Sequence, residues 1–235
     1  MKDSLRQVQA VAFDLDGTLV DSAPDIQHAL NAALKKAGLE RFDLDAVRGW
    51  IGDGPDVLIA RALAAQGLGD AEDELRARLR RWFDVDTLAA PLAHGVVYPG
   101  ILDLVSGLHR VMPMVVVTNK PTPLARAVLD AAGVLPFVDA VFGADTAALR
   151  KPAPGMLLAA AQQLAIAPEQ LLMVGDSAPD MQSAHAAGCR AVLVPWGYGH
   201  HTLPNWLDPL RVSGPDELLQ VLLATRGAAE PSFNS

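Results

Sequence analysis

Residues 8–18 read VQAVAFDLDGT, and this stretch decides the fold. Its apolar first half, which ends at Phe13, predicts a buried strand. Asp14 and Asp16 follow directly, and Gly17 then allows the backbone to turn. Unpaired carboxylates at the end of a buried strand are costly unless they bind a cation. The pattern therefore predicts a divalent metal site, with Asp14 a candidate nucleophile and Asp16 a candidate acid and base. A plain polar turn is the alternative.

The composition narrows the class of protein. The chain has 235 residues, of which 51% are hydrophobic, enough for a main domain with a smaller one. Its net charge of −8 argues against nucleic acid as a partner, because phosphate backbones need a basic surface. The sequence predicts no membrane span and no secretory signal. Its single cysteine, Cys189, suits a reducing compartment, so we expect a cytoplasmic protein.

Two kinds of pattern divide the chain. One long segment shows only helical periodicity, with Ser22 as the predicted N-cap of its first helix. After the turn at residues 98–100, helices and apolar strands alternate, which predicts an α/β fold with a parallel sheet and helices on both faces. The predicted parts are a core domain of residues 1–21 and 97–226, a helical insert of residues 22–96, and a flexible tail of residues 227–235.

Polar side chains follow several predicted strands. Ligands of an open parallel sheet bind beyond the carboxyl ends of its strands. Carboxylates for a metal, with hydroxyl and ammonium groups for an anion, are what phosphoryl transfer needs, because its catalysis is positioning and charge neutralisation. Each residue alone has a plainer explanation, such as a helix cap or a solvated charge. The residues are Asp14 and Asp16 after the first strand, Thr118, Asn119 and Lys120 after the second, Gly175, Asp176, Ser177 and Asp180 after the fourth, and Lys151 in a loop.

Four short motifs resemble those of the haloacid dehalogenase-like hydrolase superfamily. They are DLDGT at 14–18, VTNK at 117–120, RKP at 150–152 and GDSAPD at 175–180, in the order typical of that superfamily. The helical insert resembles its C1 cap domain. The resemblance implies a Rossmann-like core that carries a helical cap and acts on a small phosphorylated metabolite.

The resemblance also implies a role for each motif residue. Asp14 would attack phosphorus and form an aspartyl-phosphate. Asp16 would protonate the leaving oxygen and later deprotonate the water that hydrolyses the intermediate. Mg²⁺ would be bound by the carboxylates of Asp14 and Asp176 and by the main-chain carbonyl of Asp16, with Asp180 contacting these ligands rather than the ion. The residues implied for the phosphoryl oxygens are Thr118 and Lys151, with Asn119 a further candidate for binding substrate.

The reaction favoured within this superfamily is phosphate ester hydrolysis. Dehalogenases need neither the second aspartate nor the metal, and Asp16 is present. The phosphonatase needs a cap lysine for a Schiff base, and the cap lysines here, Lys35 and Lys36, fall on a helix face predicted to be solvated. A phosphomutase must bind a second phosphate through basic cap residues, for which Arg48 and Arg61 are the obvious candidates.

Among the phosphatases, the chain most resembles the bacterial phosphoglycolate phosphatases, in residues 11–24, 50–58, 117–123 and 166–170. The expected reaction is therefore hydrolysis of 2-phosphoglycolate to glycolate and phosphate. Another small sugar or acid phosphate, a phosphomutase reaction and a non-enzymatic interaction protein remain alternatives.

The cap stretch WIGDGPDVL at 50–58 is the most informative about the substrate. Gly52 and Gly54 would let a loop descend onto the site and present backbone N–H groups to a small carboxylate, although a helix-to-helix turn is the alternative. His200 and His201 are interpreted as part of an exposed polar loop rather than as metal ligands.

Overall fold

The computed structural model describes residues 5–199 and 203–227. The predicted loop histidines His200 and His201, and the predicted tail beyond residue 227, lie outside the described residues. None of the described helices is long and apolar enough to cross a membrane.

The strands are β1 (Ala10–Phe13), β2 (Val20–Asp21), β3 (Val96–Val97), β4 (Met114–Thr118), β5 (Ala140–Gly143), β6 (Leu171–Gly175), β7 (Arg190–Leu193) and β8 (Leu210–Arg211). The α-helices are α1 (Ala23–Lys36), α2 (Leu44–Arg48), α3 (Pro55–Ala64), α4 (Asp73–Ala89), α5 (Ile101–His109), α6 (Thr122–Ala131), α7 (Gly155–Gln163), α8 (Ala178–Ala187) and α9 (Pro215–Gly227).

Six strands form one parallel sheet in the order β5-β4-β1-β6-β7-β8. Strand β1 therefore lies between β4 and β6, and the chain moves outward from it first in one direction and then in the other. The strand order reverses at β1, so the carboxyl ends of β4, β1 and β6 meet at one point of the sheet edge. The predicted parallel sheet with helices on both faces is confirmed.

Alternating residues of β1 build the two cores of this domain. Val11 and Phe13 are fully buried on one face, where α5, α6 and α9 cover the sheet. Ala10 and Ala12 are fully buried on the other face, against α7 and α8. Truncation of a side chain such as Phe13 to alanine typically costs about 3–5 kcal/mol. The strand is thus held rigidly, and so are the residues that follow it.

The helices α1 to α4 pack together around a third hydrophobic core. Leu124, from α6 of the sheet domain, is buried in that same core, so the helical insert rests directly on the edge of the sheet. At its base the chain enters through β2 and leaves through β3, which pair antiparallel with Val20 opposite Val97.

The structure differs from the sequence predictions at the base of the insert. The two-residue strands β2 and β3 and the short helix α2 are not predicted, because so few residues carry no measurable periodicity. Ser22 does occupy the N-cap position of α1, but its side chain makes no cap hydrogen bond. Its hydroxyl instead donates to Asp16 Oδ1 at 2.5 Å.

Candidate active site

Three adjacent strands bring the predicted polar residues together. Asp14 follows β1, Thr118 ends β4 and Asp176 follows β6. Since these strands are parallel neighbours, the three side chains lie at the same edge of the sheet. All three are buried, as is Lys151, which comes from the loop before α7. A row of buried polar groups at a sheet edge is costly unless each group has a partner.

Lys151 is the central partner in this row. Its ammonium lies 2.8 Å from Asp14 Oδ1 and 2.6 Å from Asp180 Oδ1, and it donates to the carbonyl of Val117 at 2.9 Å. All three ammonium hydrogens are therefore used. Burial alone would lower the pKa of Lys151, but the charges of Asp14 and Asp180 outweigh it and raise the pKa above its usual value. The residue is a permanent buried cation, not a surface charge.

The carboxylates of Asp14, Asp176 and Asp180 each offer an oxygen, and these atoms lie within 4.8 Å of one another. Burial raises the pKa of Asp14 to about 8 against the opposing effect of Lys151. Burial and the Asp180 charge raise the pKa of Asp176 to about 6. Three buried carboxylates facing one ammonium leave excess negative charge, and hard oxygen ligands suit a divalent cation. The donor set therefore fits a divalent metal.

Asp180 has the least freedom to bind a metal. Besides its bond to Lys151, its second oxygen accepts from the Ser177 hydroxyl at 2.6 Å and from the Ser177 N–H at 3.1 Å. The residue is fully buried at the start of α8. These contacts indicate that Asp180 positions Lys151, whereas Asp14 and Asp176 remain available to a cation.

Two glycines make room for Asp176. Gly17 has φ +90°, and a Cβ there would lie 2.6 Å from Asp176 Oδ2. A Cβ on Gly197 would collide with the same side chain. The Asp176 carboxylate also accepts from the N–H groups of Tyr198, at 2.6 Å, and Gly199, at 3.1 Å. The turn after β1 and the loop after β7 thus hold one side chain in one orientation.

Asp16 points to a different part of the site. It is not among the three clustered carboxylates. Its oxygens lie 2.9 and 2.8 Å from the ammonium of Lys120, and Ser22 donates to one of them. The side chain is thus kept away from the three clustered carboxylates and faces the cavity, which an acid and base requires. Lys120 is among the polar residues predicted to follow the second strand, but the sequence alone gives it no role in the site.

A small cavity lies between the sheet edge and the helical insert. Its floor is polar, and its roof is mainly apolar because it is formed by residues of α1, α3 and α4, by the loop that leads into α3, and by Leu124 of α6. Both predicted glycines of the insert line it. The lining residues are Asp14, Asp16, Thr118, Asn119 and Lys120 on the floor, and Ile26, Ile51, Gly52, Gly54, Pro55, Leu58, Phe83 and Leu124 above it.

Asn119 connects the floor to the insert. Its amide donates to the carbonyl of Gly52 at 2.8 Å and to that of Lys151 at 3.1 Å, and its oxygen accepts from the Lys151 N–H at 2.7 Å. A Cβ at Gly54 would lie 2.7 Å from the Asn119 carbonyl oxygen, so this loop approaches the backbone of the core directly. The amide of Asn119 therefore holds both the loop of the insert and the backbone of Lys151.

The structure does not bring Arg48 to the cavity. Its guanidinium lies 3.5 Å from Asp21 Oδ2, at the base of the insert, and it is not among the lining residues. The same aspartate accepts from the hydroxyl of Tyr198 at 2.7 Å, and that hydroxyl also accepts from the N–H of Ala23 at 3.1 Å. Tyr198 therefore contacts both the base of the insert and Asp176. The sequence analysis missed it.

Comparison with known proteins agrees with this geometry. The model of the haloacid dehalogenase-like hydrolase family matches residues 8–188. The phosphoglycolate phosphatase of Chromobacterium violaceum is 40% identical over 197 residues, covering 83% of this chain and 88% of that one. The phosphoglycolate phosphatase of Rhodospirillum rubrum is 44% identical over 202 residues, covering 84% and 83%.

A solved structure shares the whole architecture. The crystal structure of a predicted phosphoglycolate phosphatase from Haemophilus somnus superposes with a TM-score of 0.84 at 30% sequence identity. The match covers 92% of this chain and 98% of that one, so the helical insert belongs to the shared fold.

Proposed function

The chain belongs to the haloacid dehalogenase-like hydrolase family, and we propose that it is a metal-dependent phosphatase that hydrolyses 2-phosphoglycolate to glycolate and phosphate. The observation that carries this proposal is the Lys151 ammonium, 2.8 Å from Asp14 and 2.6 Å from Asp180, beneath the floor of a cavity covered by the insert. The similar phosphoglycolate phosphatases support the choice of substrate.

In this proposal Asp14 is the nucleophile. One of its oxygens bonds to phosphorus while the bond from phosphorus to the leaving oxygen breaks, which gives an aspartyl-phosphate. A carboxylate that approaches a phosphate dianion meets like-charge repulsion, and the buried Lys151 ammonium reduces it. Thr118 is buried at the end of β4 and lines the cavity, which supports a role for its hydroxyl in binding a phosphoryl oxygen.

Asp16 moves the protons. It donates a proton to the leaving glycolate oxygen, and later accepts one from the water that attacks phosphorus and releases phosphate. Its separation from the clustered carboxylates supports this role, because a metal-bound carboxylate is a poor proton donor. Ser22 and Lys120 keep its side chain facing the cavity.

We propose Mg²⁺ as the divalent cation, held by the carboxylates of Asp14 and Asp176 and by the main-chain carbonyl of Asp16. When bound, it neutralises negative charge on the phosphoryl oxygens. Asp180 contributes indirectly by fixing Lys151.

Residues 22–96 are proposed to be a cap domain that closes the site, with residues 1–21 and 97–226 as the core. The apolar roof supports this assignment, since it excludes water from a reaction in which water must not compete with the nucleophile. The half-buried Cys189 thiol, the sole cysteine, fits a reducing cytoplasm as the place of action.

A phosphomutase reaction finds less support. It would need cationic cap side chains directed at a second phosphate. Arg48 is paired with Asp21, and Arg61 lies 2.5 Å from Asp53 Oδ2 and donates to the carbonyl of Trp50 at 2.8 Å. Both arginines are thus neutralised outside the set of residues that line the cavity.

Phosphate release from a panel of small phosphorylated acids and sugars, with Mg²⁺ or with a chelator, tests the proposal. We expect metal-dependent release with the highest kcat/KM for 2-phosphoglycolate. Phosphate release that is equally fast with Mg²⁺ and with the chelator would contradict the metal-dependent mechanism. A sugar phosphate with a higher kcat/KM than every phosphorylated acid would contradict the assignment of 2-phosphoglycolate as the substrate.

A further inference from the structure

We propose that Lys120 selects substrates that carry a carboxylate next to the phosphate ester. The inference rests on the proposed function and adds the residue that recognises the acid. Among the described residues that line the cavity, Lys120 is the only one with a cationic side chain. Lys151 lies beneath the floor, and its hydrogens are already used by Asp14, Asp180 and Val117.

The chemistry of the substrate places its carboxylate near this lysine. In 2-phosphoglycolate the leaving oxygen and the carboxylate carbon are separated by one methylene group, which is two covalent bonds. Asp16 must reach the leaving oxygen to protonate it. The Lys120 ammonium lies 2.8 and 2.9 Å from the two oxygens of Asp16. A substrate held for protonation by Asp16 therefore brings its carboxylate within reach of Lys120.

The lysine can serve both carboxylates. An ammonium has three donors, and in the described residues Lys120 Nζ contacts Asp16 alone, through its two oxygens. Lys151 shows the same arrangement in this site, because it is shared by two carboxylates. Lys120 is 7% exposed and lies under an apolar roof, so a pair formed with substrate would be poorly screened by water.

The rest of the cavity offers little competition for the carboxylate. The side chains that form the roof, such as Ile26 and Phe83, are apolar and cannot bind an anion. The backbone N–H groups around Gly52 and Gly54 remain, and they would complement Lys120 rather than replace its charge. Selection of an acid over a neutral ester should thus depend on Lys120.

The test compares 2-phosphoglycolate with ethyl phosphate, which has a similar size but no carboxylate. The ratio of their kcat/KM values is measured for the wild type, for Lys120→Met, which keeps length without charge, and for Lys120→Arg. Lys36→Met is the control, because it removes a surface lysine that is paired with Asp86 at 3.1 Å and does not line the cavity. Any effect of Lys120 on Asp16 acts on both substrates and cancels in the ratio.

We expect the wild type, Lys36→Met and Lys120→Arg to prefer 2-phosphoglycolate. In Lys120→Met the preference should fall about 10- to 100-fold, as for a lost charge-assisted hydrogen bond. A wild type without any preference for the acid would refute the proposed substrate. A wild type that prefers the acid, together with a Lys120→Met variant that keeps the full preference, would refute only the role of Lys120.

A variant with too little activity is tested by binding. Asp14→Asn removes the nucleophile, so calorimetry gives Kd for both ligands without turnover. Adding Lys120→Met should weaken binding of 2-phosphoglycolate about 10- to 100-fold more than binding of ethyl phosphate. Equal weakening would overturn the proposal. Lys120→Gln takes the place of Lys120→Met if circular dichroism shows that the latter does not fold.

Discussion

The ammonium of Lys151 lies 2.8 Å from the carboxylate of Asp14, and both groups are buried. The pair joins the end of β1 to the loop before α7, which are 137 residues apart in sequence. A buried ion pair of this kind contributes little net stability, because desolvation of both charges offsets their attraction. Its geometry is better explained by the proposed function, in which it holds the nucleophile Asp14 next to the charge that lets it approach a phosphate.

Asp14→Asn tests this directly. The substitution keeps the shape of the side chain but removes the attacking oxygen, so we expect turnover to fall on the order of 10⁴-fold or more. Acid-quenched protein analysed by mass spectrometry should show a phosphorylated form in the wild type and none in the variant. Asp103→Asn, on the exposed face of α5, is the control and should behave as the wild type. A phosphorylated Asp14→Asn protein would refute the assignment.

Removal of metal ions should destabilise the protein in a pH-dependent way. Without metal, burial raises the pKa of Asp14 to about 8 and of Asp176 to about 6, above the value of about 3.9 for an unfolded chain. The folded state therefore binds more protons, and its stability falls as pH rises from about 4 to about 8. Mg²⁺ competes with these protons, so it should raise Tm more at pH 8 than at pH 5. Equal Tm shifts at both pH values, measured by thermal denaturation, would contradict the assigned site.

Much of this site follows from the sequence because strand ends are easy to recognise. The apolar run before Asp14 and the run before Asp176 predict buried parallel strands, and parallel strands bring their carboxyl ends to one edge. That argument needs only the positions of residues along the chain. The positions of the strand ends therefore place Asp14, Thr118 and Asp176 together without knowledge of any side-chain direction, whereas Lys151 lies in a loop and its contacts with Asp14 and Asp180 depend on how that loop folds.

Side-chain partners do not follow from such patterns. Lys120 and Arg48 are both basic residues near the site, but only the former lines the cavity, whereas the latter is paired with Asp21. Tyr198 lies in a loop without periodicity, and its contacts with Asp21 and Asp176 depend on how that loop folds. Pairing across more than a hundred residues is decided by tertiary packing, on which local periodicity carries no information.

Gly17 should be irreplaceable for a local steric reason. In Gly17→Ala the new Cβ would lie 2.6 Å from Asp176 Oδ2, so this carboxylate must move. We expect the Mg²⁺ concentration for half-maximal activity to rise about tenfold or more. Gly133→Ala is the matched control, because Gly133 also has a positive φ, +68°, but its Cβ would meet nothing within 4 Å.

Both alanine variants place a Cβ on a left-handed backbone, which costs about 1–2 kcal/mol of folding free energy. Stability, measured by urea denaturation, should thus fall in both variants, and further in Gly17→Ala because its Cβ also displaces Asp176. Only Gly17→Ala should change the metal dependence of activity. Unchanged metal dependence in that variant would mean that Asp176 does not bind the cation.

Asn119→Ala should separate substrate binding from chemistry. The side chain joins the Gly52 carbonyl of the insert to the backbone of Lys151 through bonds of 2.7 to 3.1 Å. Its loss frees the loop that carries Gly52 and Gly54, so we expect KM to rise several-fold. The free energy of unfolding should fall by about 2–3 kcal/mol, because buried backbone groups lose their partners.

Asn31→Ala is the matched control for Asn119→Ala. Asn31 also joins two segments through its amide, with bonds of 2.8 and 2.9 Å to the backbone of Phe42, but both segments lie within the insert. Its removal should cost a similar free energy of unfolding and leave KM unchanged. If both variants raise KM equally, general loosening of the insert accounts for the effect. If Asn119→Ala leaves KM unchanged, the link from Asn119 to Gly52 does not control how the cavity binds substrate.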